Sequence, residues 1–234
     1  IIDSNASRQS KVEKLLILLI DLIETGLSQS SIVELFSFLY FQKKFSLDES
    51  DVSQCIQWIN DLQIFIKGNE NYNHNTGLMR LNLGKVISPI VDHLDYAGIM
   101  TYEKIASSDD VLLSTFNIII DKLYDYTKRI KTLSASGEEW YKIIYALITD
   151  FIYIPEDDIE EQFIMNHLFV MLRKIFHLKE ISIVFLKKFI FDNLKGLSAA
   201  KNSHLVTGVN VSALIPRRQI PFKIRIFIGI SSFY

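Results

Sequence analysis

Val52-Ser53-Gln54-Cys55-Ile56-Gln57-Trp58-Ile59-Asn60-Asp61-Leu62-Gln63-Ile64-Phe65-Ile66 is the stretch on which the reading of the fold turns. Val52, Ile56, Ile59 and Leu62 recur at the spacing of one face of an α-helix, with Cys55 beside them. Asp48, Glu49 and Asp51 precede it, and acidic groups suit a helix N-terminus. Ile64-Phe65-Ile66 then reads as a short apolar strand.

Upstream, two more helices are predicted. The first runs from about Ser7 to Thr25, is apolar around most of its circumference, and is therefore a buried rod, with Gly26 as its C-terminal cap. The second runs from Ser30 or Ser31 to about Gln42, opened by the capping-box spacing of Ser31 and Glu34. Downstream, a polar stretch from Gly68 to Gly77 separates Ile64–Ile66 from Leu78–Leu83, which alternates like a strand; together they predict a hairpin. A short helix over 85–96 is expected next, ending at Ala97-Gly98.

Three helices followed by a hairpin, with the 52–66 stretch as third helix and first wing strand, resembles the winged-helix superfamily over about residues 10–85. The glycine usual before the wing strand is Gln63 here. Residues 87–100 offer a second, competing match that keeps an Ala-Gly pair. The resemblance implies a third helix, starting after Leu47 and carrying Val52 to Leu62, whose outer face is free. Ser50, Gln54 and Gln57 would lie on that face, where Gln can pair with adenine edges. Glu49, Asp51 and Asp61 oppose phosphate binding there, and the stretch 48–63 has no Lys or Arg.

Strong helical patterns follow over about 108–131, 136–153, 156–176 and 179–194, with Gly196 ending the last. Their short spacers favour antiparallel neighbours in a bundle. Beyond, the period changes to two around Pro216–Pro221, which reads as a β-hairpin. The expected class is thus mainly α, in three parts: a winged-helix-like domain over 1–105, a helical bundle over 106–196 and a basic hairpin tail over 197–234.

The chain has 234 residues, 27.1 kDa, 49% hydrophobic and 22% charged, with only nine Gly and four Pro. That excludes disordered and collagen-like classes. The net charge of −2 is unevenly spread. Residues 1–192 carry −8, whereas the residues after Asp192 carry six bases and no acid, a tail of +6. Such a tail is suited to an acidic partner or to an acidic face of the chain's own body. One cysteine, Cys55, on an apolar stripe, reads as a buried reduced thiol and points to a cytoplasmic or nuclear setting. No apolar run reaches membrane-span length and no signal peptide is visible; beginning at Ile1 rather than Met suggests a fragment or a trimmed start.

Nothing resembles a phosphate cradle, a dinucleotide fingerprint, a nucleophile elbow or a Cys-pair zinc pattern. His74, His93, His167, His177 and His204 include no pair spaced to share a helix face. Arg173 and His177 are closer in sequence than the Arg/His pair of the helical RNase family known as HEPN. The acidic run from Glu156 to Glu161 reads as a solvated helix start, and phenylalanines such as Phe163, Phe169 and Phe176 as core. A catalytic site assembled from distant residues would draw on Asp110, Glu138, Glu139 and His167.

The reading is a non-catalytic interaction or scaffold subunit of an intracellular assembly, with no cofactor and no metal. Its partner, a protein or a second copy, would meet the tail strand through Phe222, Lys223, Ile224, Arg225, Ile226 and Ile228, steered by Arg217 and Arg218. The alternative is a nucleic-acid-associated regulator using Ser50, Gln54 and Gln57 with the basic tail at phosphates.

Overall fold

The computed structural model describes residues 10–64, 74–86, 95–96, 99–102, 104–105, 109–130 and 134–201. Those residues are mainly helical, as expected, with two small antiparallel strand pairs. The C-terminal hairpin predicted from the sequence falls in 202–234, outside the described residues.

Helix α1, Lys11–Thr25, is the central rod. Ser10 caps it by accepting the Glu13 N–H, and Gly26, at φ 94°, closes it by donating to the Leu22 carbonyl. Its leucines and isoleucines are buried nearly all round, because it packs against helices on several sides. The single helix predicted over 30–42 is two: α2, Gln29–Phe36, and α3, Leu39–Phe45, broken at an extended Phe38. Ser28, not Ser31, caps α2. The break has a packing reason. In one continuous helix Phe36 and Phe41 would point about 140° apart. Broken, they meet edge to face at 5.1 Å, both fully buried, and the Gln42 amide donates to the Phe36 carbonyl at 2.8 Å.

Helix α4, Glu49–Leu62, starts at a reciprocal capping box between Asp48 and Asp51. It ends on Gln63 at φ 48°, the left-handed position. Cys55, Ile59 and Leu62 face inward as expected, joined by Trp58.

The expected wing is where sequence and structure part. Leu78–Leu83 is not a strand but the middle of helix α5, His74–Val86. Leu78 and Leu81, three residues apart, are buried, whereas Met79 is exposed. The sequence Leu-Met-Arg-Leu-Asn-Leu satisfies both periods, and packing selects the helical one. Asn82 donates to the Leu78 carbonyl at 2.8 Å and exchanges amide hydrogen bonds with Asn117. Gly84 lies against the Tyr102 backbone so closely that a Cβ would sit 1.8 Å from its carbonyl oxygen. The end of the short helix expected over 85–96 is also different: Asp95–Tyr96 is strand β1, paired with β2, Ile99–Met100. The winged-helix resemblance therefore loses its strand at 78–83 and the helical end of its second match.

Helix α6, Asp110–Ile130, precedes strand β3, Ser134–Ala135, and α7, Gly137–Phe151, which is opened by a Ser136–Glu139 capping box. Helix α8, Ile159–Arg173, begins after the turn at Pro155–Asp157 and is capped by Asp158. Strand β4, Ile181–Ser182, pairs with β3 and leads into α9, Ile183–Lys201, which runs past the Gly196 expected to stop it. Aromatic contacts from Trp58 to Phe116, Phe36, Phe41 and Phe151 tie α4, α6, α2, α3 and α7 into one core.

Candidate interaction surfaces

On α4, Ser50 and Gln57 are exposed and Gln54 is half-buried. The stripe is closed at its far end: Asp61 accepts from the Tyr102 hydroxyl at 2.8 Å and from Lys104 Nζ at 3.2 Å. The Tyr102 hydrogen bond, with Lys104 and Gln57 adding to it, holds the Asp61 carboxyl below its ordinary value. Cys55 is wholly buried, and burial pushes its thiol far up, so it is an inert core group. Arg217, Arg218, Phe222, Lys223, Ile224, Arg225, Ile226 and Ile228 lie outside the described residues.

The four dispersed candidates for catalysis each serve a local contact. Asp110 pairs with Lys85 at 2.6 Å and Glu138 with Lys142 at 2.8 Å. Glu139 completes the Ser136 cap, which lowers its pKa, and His167 stacks on Phe163 at 6.2 Å. Among the described residues no group of three or more His, Cys, Asp or Glu is placed to hold a metal, and no helix is long and apolar enough to cross a membrane. A void of about 10 Å³ between α1, α7 and α9 is lined by apolar side chains, too small for a ligand.

The acidic run is less solvated than its sequence suggested. Glu161 reaches the N-terminus of α1, where it accepts from the Ser10 hydroxyl, the Lys11 N–H at 2.9 Å and the Val12 N–H at 3.2 Å. It neutralises N–H groups that a helix start leaves unpaired. Asp158 accepts from the Tyr40 hydroxyl, and burial together with that carboxylate drives the Tyr40 phenol strongly upward. A contact spanning about 150 residues leaves no local signal in the sequence.

Two surfaces stand out among the described residues. The first is aromatic. Tyr141 and Tyr145 of α7 meet each other and Phe169 of α8, and Tyr141 also meets Phe176 beyond the end of α8, with ring centroids 5.3–6.4 Å apart. The Arg173 guanidinium lies 5.7 Å from the Tyr141 ring centre. Tyr145 is 53% exposed and Phe176 38%. The reading of the late phenylalanines as core is therefore corrected: Phe163, Phe176, Phe185 and Phe191 are exposed, and Phe169 and Phe189 only half-buried. Spacing alone does not distinguish an inner apolar stripe from an outer one.

The second surface is a groove between α3 and the start of α8. Leu39, Tyr40 and Lys43 form one wall, and Pro155, Asp157, Asp158, Ile159 and Glu160 the other. Ile159 is 76% exposed and Leu39 45%, so each wall offers an apolar side chain, with the exposed Asp157 and Glu160 beside Ile159.

A family model described as the RecBCD enzyme subunit RecC fourth domain matches residues 9–181, most of the chain, from just before α1 into β4. No curated protein matches. That match replaces the winged-helix resemblance, in agreement with the helix found where the wing was expected.

Proposed function

The chain belongs to the RecC fourth-domain family, and from that premise we propose that it is a non-catalytic interaction unit within a multi-subunit DNA-processing assembly. The match over 9–181 carries this reading. The occupation of Asp110, Glu138 and Glu139 in local pairs and caps supports it. So does the α7–α8 face, whose Tyr, Phe and Arg are the side chains that dominate protein contacts. The partner is another subunit, with the DNA held by the assembly as a whole. The tail adds a strand to that partner through Phe222, Lys223, Ile224, Arg225, Ile226 and Ile228, with Arg217 and Arg218 steering it. No cofactor enters this role, and the reduced Cys55 fits a cytoplasmic setting.

The alternative, base contacts from Ser50, Gln54 and Gln57, is disfavoured by the acids beside them and by Asp61 binding Tyr102 and Lys104. The two readings separate in one experiment. The purified chain leaves a labelled duplex intact and binds it no more tightly than about 10⁻⁵ M at physiological salt. In the presence of the other subunits it co-elutes with the DNA-processing activity. Tyr145→Ala with Phe176→Ala weakens that association about tenfold or more. Tight, salt-steep binding of duplex by the isolated chain, lost in Gln54→Ala with Gln57→Ala, would establish the alternative instead.

A further inference from the structure

We propose that the groove between α3 and the start of α8 receives this chain's own segment Ile215–Pro221, with Arg217 and Arg218 at its acidic side and the neighbouring apolar side chains over Leu39 and Ile159. The inference rests on the reading that the two arginines steer the tail, and it names the surface they meet.

Three observations converge on it. First, groove and segment are complementary. The groove presents Leu39 from one wall and Pro155 and Ile159 from the other, with Asp157 and Glu160 exposed beside them and Lys43 the lining cation among the described residues. The segment Ile-Pro-Arg-Arg-Gln-Ile-Pro sets two adjacent arginines between apolar pairs and has no acid. Secondly, the chain leaves the described fold at the right end. Lys187, in the second turn of α9, pairs with Asp21 and Glu24 in the last turns of α1. Glu161, in the first turn of α8, sits on the first turn of α1. Helices α8 and α9 thus start at opposite ends of the central rod, and both pack along it. With 19 residues against the 15 of α1, α9 returns to the end where α8 begins and the groove opens. Sixteen residues from Lys201 to Arg217 can span up to roughly 50 Å, so reach is no obstacle. Thirdly, residues 1–192 carry −8 and the remainder +6, so the long-range field favours this encounter. Tethering also raises the effective concentration to the order of mM, so even a weak contact is populated.

Docking of 215–221 leaves Phe222, Ile224, Ile226 and Ile228 beyond the groove, available to a partner. The groove would then set the direction in which the tail strand is presented.

The test is limited trypsin digestion of the full chain, since cleavage of a segment that opens and closes rapidly follows its open fraction. The reference is a synthetic peptide of residues 211–225 under the same conditions. Cleavage after Arg217 and Arg218 is expected to run about tenfold slower in the chain than in the peptide at low salt. The gap should shrink at about 0.5 M salt, where screening is nearly complete beyond a few Å. Asp157→Lys with Glu160→Lys should abolish it, and Ile159→Ser should reduce it through the apolar contact alone. Unchanged melting temperatures show that the variants fold. Equal rates for chain and peptide overturn the proposal. So does protection that survives the charge reversal, which places the segment elsewhere, or protection that scales with chain concentration, which places it on a second copy. None of these outcomes bears on co-elution with partner subunits, so the two readings fail separately.

Discussion

The two ends of the central rod α1 are held by different physics. At its N-terminal end the contacts are polar and long-range: Glu161 on the first N–H groups of α1, Asp158 on Tyr40, and the Tyr153 N–H on the Tyr40 carbonyl at 3.1 Å. At its C-terminal end the contacts are mainly steric and apolar. Trp140 is buried with its indole N–H on the Ile181 carbonyl at 2.7 Å, and β3 and β4 clip together above it. Gly137 lies so near the Ile175 carbonyl that a Cβ would come within 2.0 Å of its oxygen. A packed end responds to volume and ignores protons. A polar end responds to charge, and it is there that the groove opens.

The sharpest break of this contrast is Trp140→Ala. It removes a large buried ring and strands the Ile181 carbonyl, so a loss of about 3–5 kcal/mol is expected in denaturant unfolding. The loss should be the same at pH 5 and pH 8, because no titrating group takes part in that contact. A cost that varied strongly with pH would show that the two ends are not separable.

Glu161→Ala acts at the opposite end. It leaves the first N–H groups of α1 to solvent and Ser10, an expected cost of about 1–2 kcal/mol in the same measurement. A negligible cost would mean that Ser10 alone caps α1. This contact also marks the limit of what a sequence discloses. Helices α1, α4, α6 and α7 were legible because apolar periodicity and local caps agree: Asp48 with Asp51, and Gly26 after Thr25. Helix α5 was not, because Leu78–Leu83 satisfies two periods and only the approach of Tyr102 to Gly84 selects one. The strands β3 and β4, two residues each, are too short to carry a period. The candidate surfaces fared similarly. The charge contrast between body and tail was visible, but the groove joins residues 39–43 to 155–160, and no local pattern announces that junction.

The pH contrast can be drawn at Asp150, near the C-terminal end of α7. Burial works to raise its pKa; Lys122 at 2.6 Å and the Tyr126 hydroxyl at 2.8 Å overcome that and hold the carboxyl below its ordinary value. A carboxyl whose pKa is depressed by folding contributes stability above its unfolded value, near 4, and loses it as pH falls through the folded one. Asp150→Asn should therefore lower the melting temperature at pH 7 by a few degrees and flatten the acid limb below about pH 4. An acid limb identical to that of the wild type would remove Asp150 from the account of the polar end.

The smallest effect belongs to the ionic bridge that Lys187 makes at the packed end. Lys187 bridges Asp21 and Glu24, and the Asp21 hydrogen bond is the main reason its ammonium titrates above the ordinary lysine value. All three side chains are partly open to solvent, so screening and side-chain entropy take back most of the attraction. Lys187→Met keeps the aliphatic stem against the helix surface and removes only the charge. A loss of less than about 1 kcal/mol is expected at low salt, falling toward zero at about 1 M, where the Debye length is near 3 Å. If the loss exceeded that of Glu161→Ala, or did not change with salt, the pair would be acting as buried charge, and the description of this end as steric would have to be abandoned.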